Sequence, residues 1–249
     1  MYSLKKSLGQ HFLKDESIIQ RIIGVLRENQ FSNLLEVGPG AGALTKHLLQ
    51  IPSIEFKAVE LDEEKVTYLQ KKYKLENGII HKSFLDIDKP FETCFTVIGN
   101  FPYNISTQIL FKILEWKKDV PVVIGMFQKE VAQRAAAPPG SKVYGVLSAL
   151  IQPYYDIEYL FDVPPGSFNP PPKVMSAVIR LKRRATELNV RTERAYWVLV
   201  KTAFNQRRKT LRNAVKSLFD ETTLKEDIFN LRAEALSIED FAALTFKMK

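Results

Sequence analysis

The chain has few of the side chains that build metal centres and covalent nucleophiles. Among 249 residues there is one cysteine, Cys94, and there are three histidines. A single thiol excludes an internal disulfide, and His11, His47, His81 and Cys94 lack the spacing of a zinc site, so no metal is expected. No apolar run approaches the roughly 18 residues that cross a bilayer. Residues 1–6 are not followed by an unbroken apolar stretch of secretory type. A reducing cytoplasm is the expected setting. Cys94 is expected to be a small buried or half-buried residue, and His47 and His81 to be surface or structural. Apolar residues make up 45% and charged residues 26%, which excludes a mainly disordered chain and leaves enough to bury a sizeable core.

Charge is present in excess and in one place. Thirteen Lys and Arg but only Glu187 and Glu193 lie between Lys173 and Lys216, a local net of +11. The whole chain carries +8, so the remainder sums to −3. A concentrated positive segment suits a polyanion such as nucleic acid, through phosphate contacts and counterion release.

The first 180 residues or so alternate between two periodicities. Asp15 suits an N-cap, and Ile18, Ile19, Ile22, Ile23 and Leu26 recur at helical spacing. Short apolar strands are expected at 34–37, 54–60, 79–80, 95–98 and 120–127, with helices between them. Further helices are expected at 130–136 and 146–151. Strands at 154–163 and 174–181 follow, joined without a helix by a proline-rich connection and therefore expected to pair antiparallel. Strand–helix alternation implies right-handed crossovers and a mainly parallel sheet covered on both faces. After Leu181 the strand signal ends. Helical stripes are expected through Tyr196, Leu199 and Val200, through Leu211, Val215 and Leu218, and through Ile238, Phe241 and Leu244. The expected division is an α/β domain over 1–184 and a small helical domain over 185–249.

Leu34-Leu35-Glu36-Val37-Gly38-Pro39-Gly40-Ala41-Gly42 reads as strand, glycine loop, helix. Glycines let backbone pass close to a ligand at a helix N-terminus. Glu60 ends the next strand, where an acid can accept hydrogen bonds from ribose hydroxyls. Gly38, Gly40 and Ala43 with Glu60 also satisfy the dinucleotide fingerprint, so a nicotinamide oxidoreductase stays open here. Glu36, placed to serve an ammonium group, and Asp86, placed to accept from an adenine amine, favour S-adenosylmethionine.

Asn100-Phe101-Pro102-Tyr103 ends the fourth strand and is of the (Asn/Asp)-Pro-Pro-(Tyr/Phe) type. The lone pair of an adenine N6 is delocalised into the ring. Acceptors at the Asn100 side chain and at a backbone carbonyl near Phe101 would draw it back to nitrogen. Pro102 stiffens the turn, and Tyr103 offers a face to a base taken out of its stack. Phe101 is expected to bear on the width of the pocket. A sulfonium methyl donor needs positioning more than a strong base, which agrees with the scarcity of nucleophiles.

With these stand Lys6-Ser7-Leu8-Gly9-Gln10-His11-Phe12-Leu13, Val59-Glu60-Leu61-Asp62, Phe168-x-Pro170-x-Pro172-x-Val174 and Ala203-Phe204-x-x-Arg207-Arg208-Lys209. In this order the motifs resemble the KsgA-type small-subunit ribosomal RNA adenine dimethyltransferases along essentially the whole chain. The resemblance implies a Rossmann-like, class I S-adenosylmethionine-dependent methyltransferase: a seven-stranded, mainly parallel sheet with an antiparallel final strand, plus an all-α C-terminal domain. It implies dimethylation of N6 on two adjacent adenines in the 3′-terminal hairpin of 16S rRNA, on a maturing 30S subunit, with a part in subunit biogenesis.

Carried over by motif, His11, Leu13, Gly38, Glu60, Asp86 and Asn100 hold the methyl donor. Asn100, Pro102 and Tyr103 are the catalytic set, with Tyr103 and Phe168 flanking the target base. Arg207, Arg208, Lys209 and Arg212 are expected to meet RNA, with Arg208, Arg212 and Lys216 along one helix face. His11 stands where many relatives have Asn, and Phe101 where Leu is usual. The rival readings are a 23S-type adenine dimethyltransferase and an RNA-binding assembly factor without catalysis. Nothing in the sequence suggests an obligate dimer.

Overall fold

The structure is a computed structural model and describes residues 11–249. The Lys6–Gln10 part of the N-terminal motif lies outside the described residues.

In chain order the elements are β1 (Phe12–Leu13), α1 (Glu16–Arg27), β2 (Asn33–Val37), α2 (Thr45–Leu48), β3 (Glu55–Glu60), α3 (Glu63–Tyr73), β4 (Ile79–His81), β5 (Thr96–Asn100), α4 (Ser106–Glu115), β6 (Val122–Gln128), α5 (Lys129–Ala136), α6 (Val146–Ile151), β7 (Tyr155–Val163), β8 (Phe168–Asn169), β9 (Ser176–Arg183), α7 (Glu193–Asn205), α8 (Leu211–Ala214) and α9 (Ile238–Thr245). The chain forms two compact units. One holds the residues up to Ala132 together with Ile157–Arg183; the other holds Gln133–Asp156 and Arg184–Lys249.

The first unit is built on a seven-stranded sheet of order β4-β3-β2-β5-β6-β9-β7. The pairs β2/β3, β2/β5, β3/β4 and β5/β6 are parallel, and β9 runs antiparallel to β6, Gln128 opposite Ser176. Every residue of β2 is buried, as expected of a strand covered on both faces. Asp15 caps α1 by accepting the Ser17 and Ile18 N–H groups. The expected stripe of α1, Ile18 to Leu26, packs with Leu34, Ile98, Ile124, Met126 and Val178 of the sheet. Strand order reverses between β3 and β5, on either side of β2. That opens a crevice at the carboxyl ends of β2 and β5, the usual ligand position in such sheets.

A second, two-stranded sheet was not legible in the sequence. β1 pairs antiparallel with β8, Phe12 opposite Asn169 and Leu13 opposite Phe168. This corrects the expected role of Phe168. Its ring is 1% exposed in the core beside Leu13 and Val163, so the proline-rich connection buries it instead of presenting it to a base. Cys94 is also corrected: it is exposed, in the turn that enters β5, where its carbonyl accepts from Asn33 Nδ2 at 3.0 Å.

In the second unit, α7 packs against α6, α8 and α9. Periodicity revealed α6 but not its neighbours, so the expected boundary after residue 184 assigned it to the sheet. The Tyr196 hydroxyl donates to the Ala149 carbonyl at 2.9 Å, tying α7 to α6. The single helix face of Arg208, Arg212 and Lys216 does not form. The backbone leaves helical geometry at Gln206 and restarts from extended Thr210, and α8 ends at Ala214. Arg207, Arg208 and Lys209 therefore sit exposed in the turn between α7 and α8.

The positive segment is also partly spent on folding. Arg180 is 8% exposed and ion-paired to Glu28 and Glu158, and Arg212 Nε donates to the Leu224 carbonyl at 2.8 Å. Among the described residues no helix is long and apolar enough to cross a membrane.

Candidate active site

One cavity of the first unit gathers most of the residues singled out from sequence. His11, Leu13, Glu36, Gly38, Gly40, Glu60, Asn100, Pro102 and Tyr103 all line it. Asp86 does not. It is exposed on the single 3-10 turn Phe84–Asp86, whose neighbours Phe84 and Leu85 do line the cavity.

The glycine loop leaves β2 with left-handed backbone at Gly38 (φ 69°) and Gly40 (φ 55°), which side chains disfavour. A Cβ on Gly40 would lie 2.9 Å from the Phe12 ring. Phe12 thus fits against the loop because residue 40 has no side chain, and the Lys65 ammonium lies 5.1 Å from the centre of the same ring. Glu60 secures the loop from the other side. Its Oε2 accepts the Gly40 N–H at 3.0 Å, and its Oε1 accepts those of Leu61 and Asp62 at 2.9 Å each. Burial pushes the Glu60 carboxyl above its ordinary range, while the N–H groups of Asp62, Gly40 and Leu61 pull it back.

Glu36 lies deeper, 2% exposed, and accepts from the Thr45 hydroxyl at 2.7 Å. Burial pushes its carboxyl up to about 8 from 4.5; the Thr45 bond opposes this and the charge of Glu60 adds to it. An acid that protonates more readily when folded supports the fold fully below its unfolded value and loses that support as pH rises through its folded value. The thermal stability of the free protein should therefore decline between pH 4.5 and about 8, and Glu36→Gln should flatten that decline. Equal slopes for the two proteins would remove Glu36 as the cause.

Asn100 ends β5, opposite Met126 of β6, and the Phe101 N–H donates to the Met126 carbonyl at 3.1 Å. The Asn100 Nδ2 donates to the backbone carbonyl of His11 at 2.9 Å. This bond fixes which way the amide faces and leaves Oδ1 to accept. Phe101 is among the residues that border the cavity. It is wholly buried, edge-on to Phe127, over two glycines whose Cβ atoms would collide with it. Its ring is thereby packed at the wall of the pocket, where only glycine fits beneath it. The Tyr103 ring stacks on His11, centroids 5.5 Å apart, and its hydroxyl shares a hydrogen bond with Ser176 Oγ. His11 Nδ1 donates to the Pro170 carbonyl at 2.9 Å.

Two residues of the site and one role of a third were not identified from sequence. Phe12 was quoted only within a motif, and neither Ser176 nor the carbonyl role of His11 has any signature in composition or spacing. His47 pairs with Glu16 at 2.7 Å, and His81 donates to the Leu61 carbonyl at 3.2 Å, both structural roles. Among the described residues no group of three or more His, Cys, Asp or Glu could hold a metal ion.

A glycine loop and acid at the ends of β2 and β3, facing an Asn-x-Pro-Tyr turn at the end of β5, define an S-adenosylmethionine-dependent methyltransferase that acts on an exocyclic amine. Residues 1–246 match the family described as ribosomal RNA adenine dimethylase. The chain belongs to that family.

It is similar to the ribosomal RNA small subunit methyltransferase A of Cytophaga hutchinsonii, 49% identical over 97% of this chain and 95% of that protein. It is similar to the protein of that name in Phocaeicola vulgatus, 51% identical over 97% of this chain and 88% of the other. In fold it resembles the dimethyladenosine transferase of Plasmodium falciparum, with a TM-score of 0.78, 24% identity, and 93% and 94% of the two chains covered. It also resembles the 23S rRNA methyltransferase ErmE, with a TM-score of 0.71, 22% identity, and 95% and 99% covered.

Proposed function

We propose that this enzyme dimethylates N6 of two adjacent adenines in the 3′-terminal hairpin of 16S rRNA, on a maturing 30S subunit in the cytoplasm, acting as a monomer. The supporting observation is the single cavity shared by the glycine loop and Asn100, the amide of which is held by the His11 carbonyl at 2.9 Å. The kinship with proteins named small subunit methyltransferase A, near 50% identical along almost the entire chain, favours this substrate over 23S rRNA.

The residues present fit S-adenosylmethionine. The left-handed glycines give a backbone cradle that a Cβ would strain, and Glu60 is buried and anchored at its rim. Gly38 would hold the methionine part, Glu60 the ribose, the Lys82–Leu85 wall the adenine in place of the exposed Asp86, and His11 and Leu13 the side toward the N-terminal strand. When bound, the molecule supplies an electrophilic methyl on a sulfonium centre.

The protein's own contribution is placement. Asn100 Oδ1 and a backbone carbonyl near Phe101 accept from the target amine and draw its lone pair off the ring. Pro102 holds that turn rigid, and Tyr103 stacks the base. The nitrogen turns acidic on alkylation, so its proton can pass to water, and no resident base is required. Arg207, Arg208 and Lys209, exposed in the turn before α8, would meet RNA phosphates.

Glu60→Ala should weaken methyl-donor binding about ten- to hundredfold, the scale of a lost hydrogen bond to a charged group. Calorimetry checks this, and binding within twofold of wild type would take Glu60 out of the site. Reversing charge at Arg208 and Lys209 should weaken subunit binding and lower its salt slope by about one for each lost phosphate contact. An unchanged slope would put the RNA elsewhere. The decisive assay mixes purified protein, labelled S-adenosylmethionine and unmodified 30S or 50S subunits and maps the modified nucleosides. Dimethyladenosine in 30S RNA alone is expected; label only in 50S RNA would favour the 23S-type reading.

A further inference from the structure

Tyr103 is held at two points, and one of them comes from a strand with no part in the motifs of the reaction. Its hydroxyl is hydrogen-bonded to Ser176 Oγ, and one ring face is stacked on His11. Ser176 is the first residue of β9 and is wholly buried. It sits opposite Gln128 at the end of β6, and the next carbonyl upstream, that of Met175, accepts the Lys129 N–H at 2.9 Å. The serine is therefore fixed by main-chain bonds on both sides. A tyrosine in a turn, with no such tie, could rotate about its side-chain torsions, and a stacking surface that rotates must be ordered each time a base arrives.

We propose that Ser176 is a positioning residue for methyl transfer: its hydroxyl anchors the Tyr103 phenol, so the ring stands preformed as the platform for the target adenine. Main-chain bonds of the antiparallel strand hold Ser176, Ser176 holds the phenol, and His11 packs the ring from one side. The free energy of ordering the platform is thereby met during folding rather than during binding. The inference rests on the reading of Tyr103 as the partner of the target base. It also explains why a tyrosine serves at 103 where a phenylalanine would stack equally well.

Three variants test it: Ser176→Ala, Tyr103→Phe and the double variant. Each is assayed for methyl transfer to 30S subunits, for methyl-donor affinity by calorimetry and for melting temperature. Each single variant should lose about five- to tenfold in kcat/KM for the subunit, with methyl-donor affinity within twofold. The double variant should lose no more than either single one, because both remove the same bond. Ser176→Thr, which keeps the hydroxyl, should recover most of the activity.

Wild-type kcat/KM in Ser176→Ala, or losses that multiply in the double variant, would overturn the proposal. So would a fall in methyl-donor affinity that matches the fall in transfer, since that indicates general loosening of the site. Absence of transfer by the wild-type protein would instead overturn the functional reading on which the proposal rests.

Discussion

Replacing Asn100 with alanine is expected to lower kcat roughly a hundred- to thousandfold, the cost of removing a fixed polar group from a developing charge. Methyl-donor affinity should stay within a few-fold. Asn100 Nδ2 is bound to the His11 carbonyl, so the variant loses an acceptor for the target amine and one tie on the N-terminal strand. That strand keeps its pairing with β8 and the bond from His11 Nδ1 to Pro170, so its position should survive. Single-turnover transfer beside calorimetry of the methyl donor separates the two effects. Turnover near wild type would remove Asn100 from the chemistry. Equal losses in transfer and affinity would show that its main work is holding His11.

Gly99→Ala should be the most destructive small substitution in the sheet. A Cβ at this position would lie 2.5 Å from the Val37 carbonyl and 2.8 Å from the Phe101 ring. The first contact is with backbone of the neighbouring strand, which cannot rotate aside. β5 must move away from β2, taking Asn100 with it. Overpacking of this kind costs about 1–3 kcal/mol or more. The urea midpoint should drop, and transfer should fall further than the folded fraction does, because the glycine loop and Asn100 separate. A midpoint and activity equal to wild type would mean that the strands tolerate wider spacing here. Gly125, beneath the same Phe101 ring, offers the contrast. Its nearest neighbours are the Phe101 and Phe127 rings at 2.4 Å, so relief by ring movement is at least available there.

Much of the fold was legible because it rests on local rules. Asp15 followed by isoleucines at helical spacing gave α1 and its cap. A short run, apolar but for Glu36, leading into three glycines gave β2 and the loop, and Asn100-Phe101-Pro102-Tyr103 marked the end of β5. Errors arose where a partner distant in sequence decides. Phe168 resembles an exposed aromatic in a proline-rich loop, yet Leu13, 155 residues earlier, pairs with it and buries it. Arg208, Arg212 and Lys216 have helical spacing, but spacing cannot show that the backbone breaks at Gln206 and again after Ala214.

By itself the sequence determined the succession of the main-sheet strands and most helices, the glycine loop, the acceptor turn and the family, since each depends on residue types at fixed short separations. Tertiary structure alone decided what those pieces face. It set the His11 carbonyl against the Asn100 amide, Phe12 in the space left by Gly40, Glu60 on the loop N–H groups, and Ser176 on the Tyr103 hydroxyl. Such contacts join segments tens of residues apart through single hydrogen bonds and ring packings. No periodicity encodes them, because they arise only once β2, β5 and β9 lie in one sheet and bring the ends of their strands together.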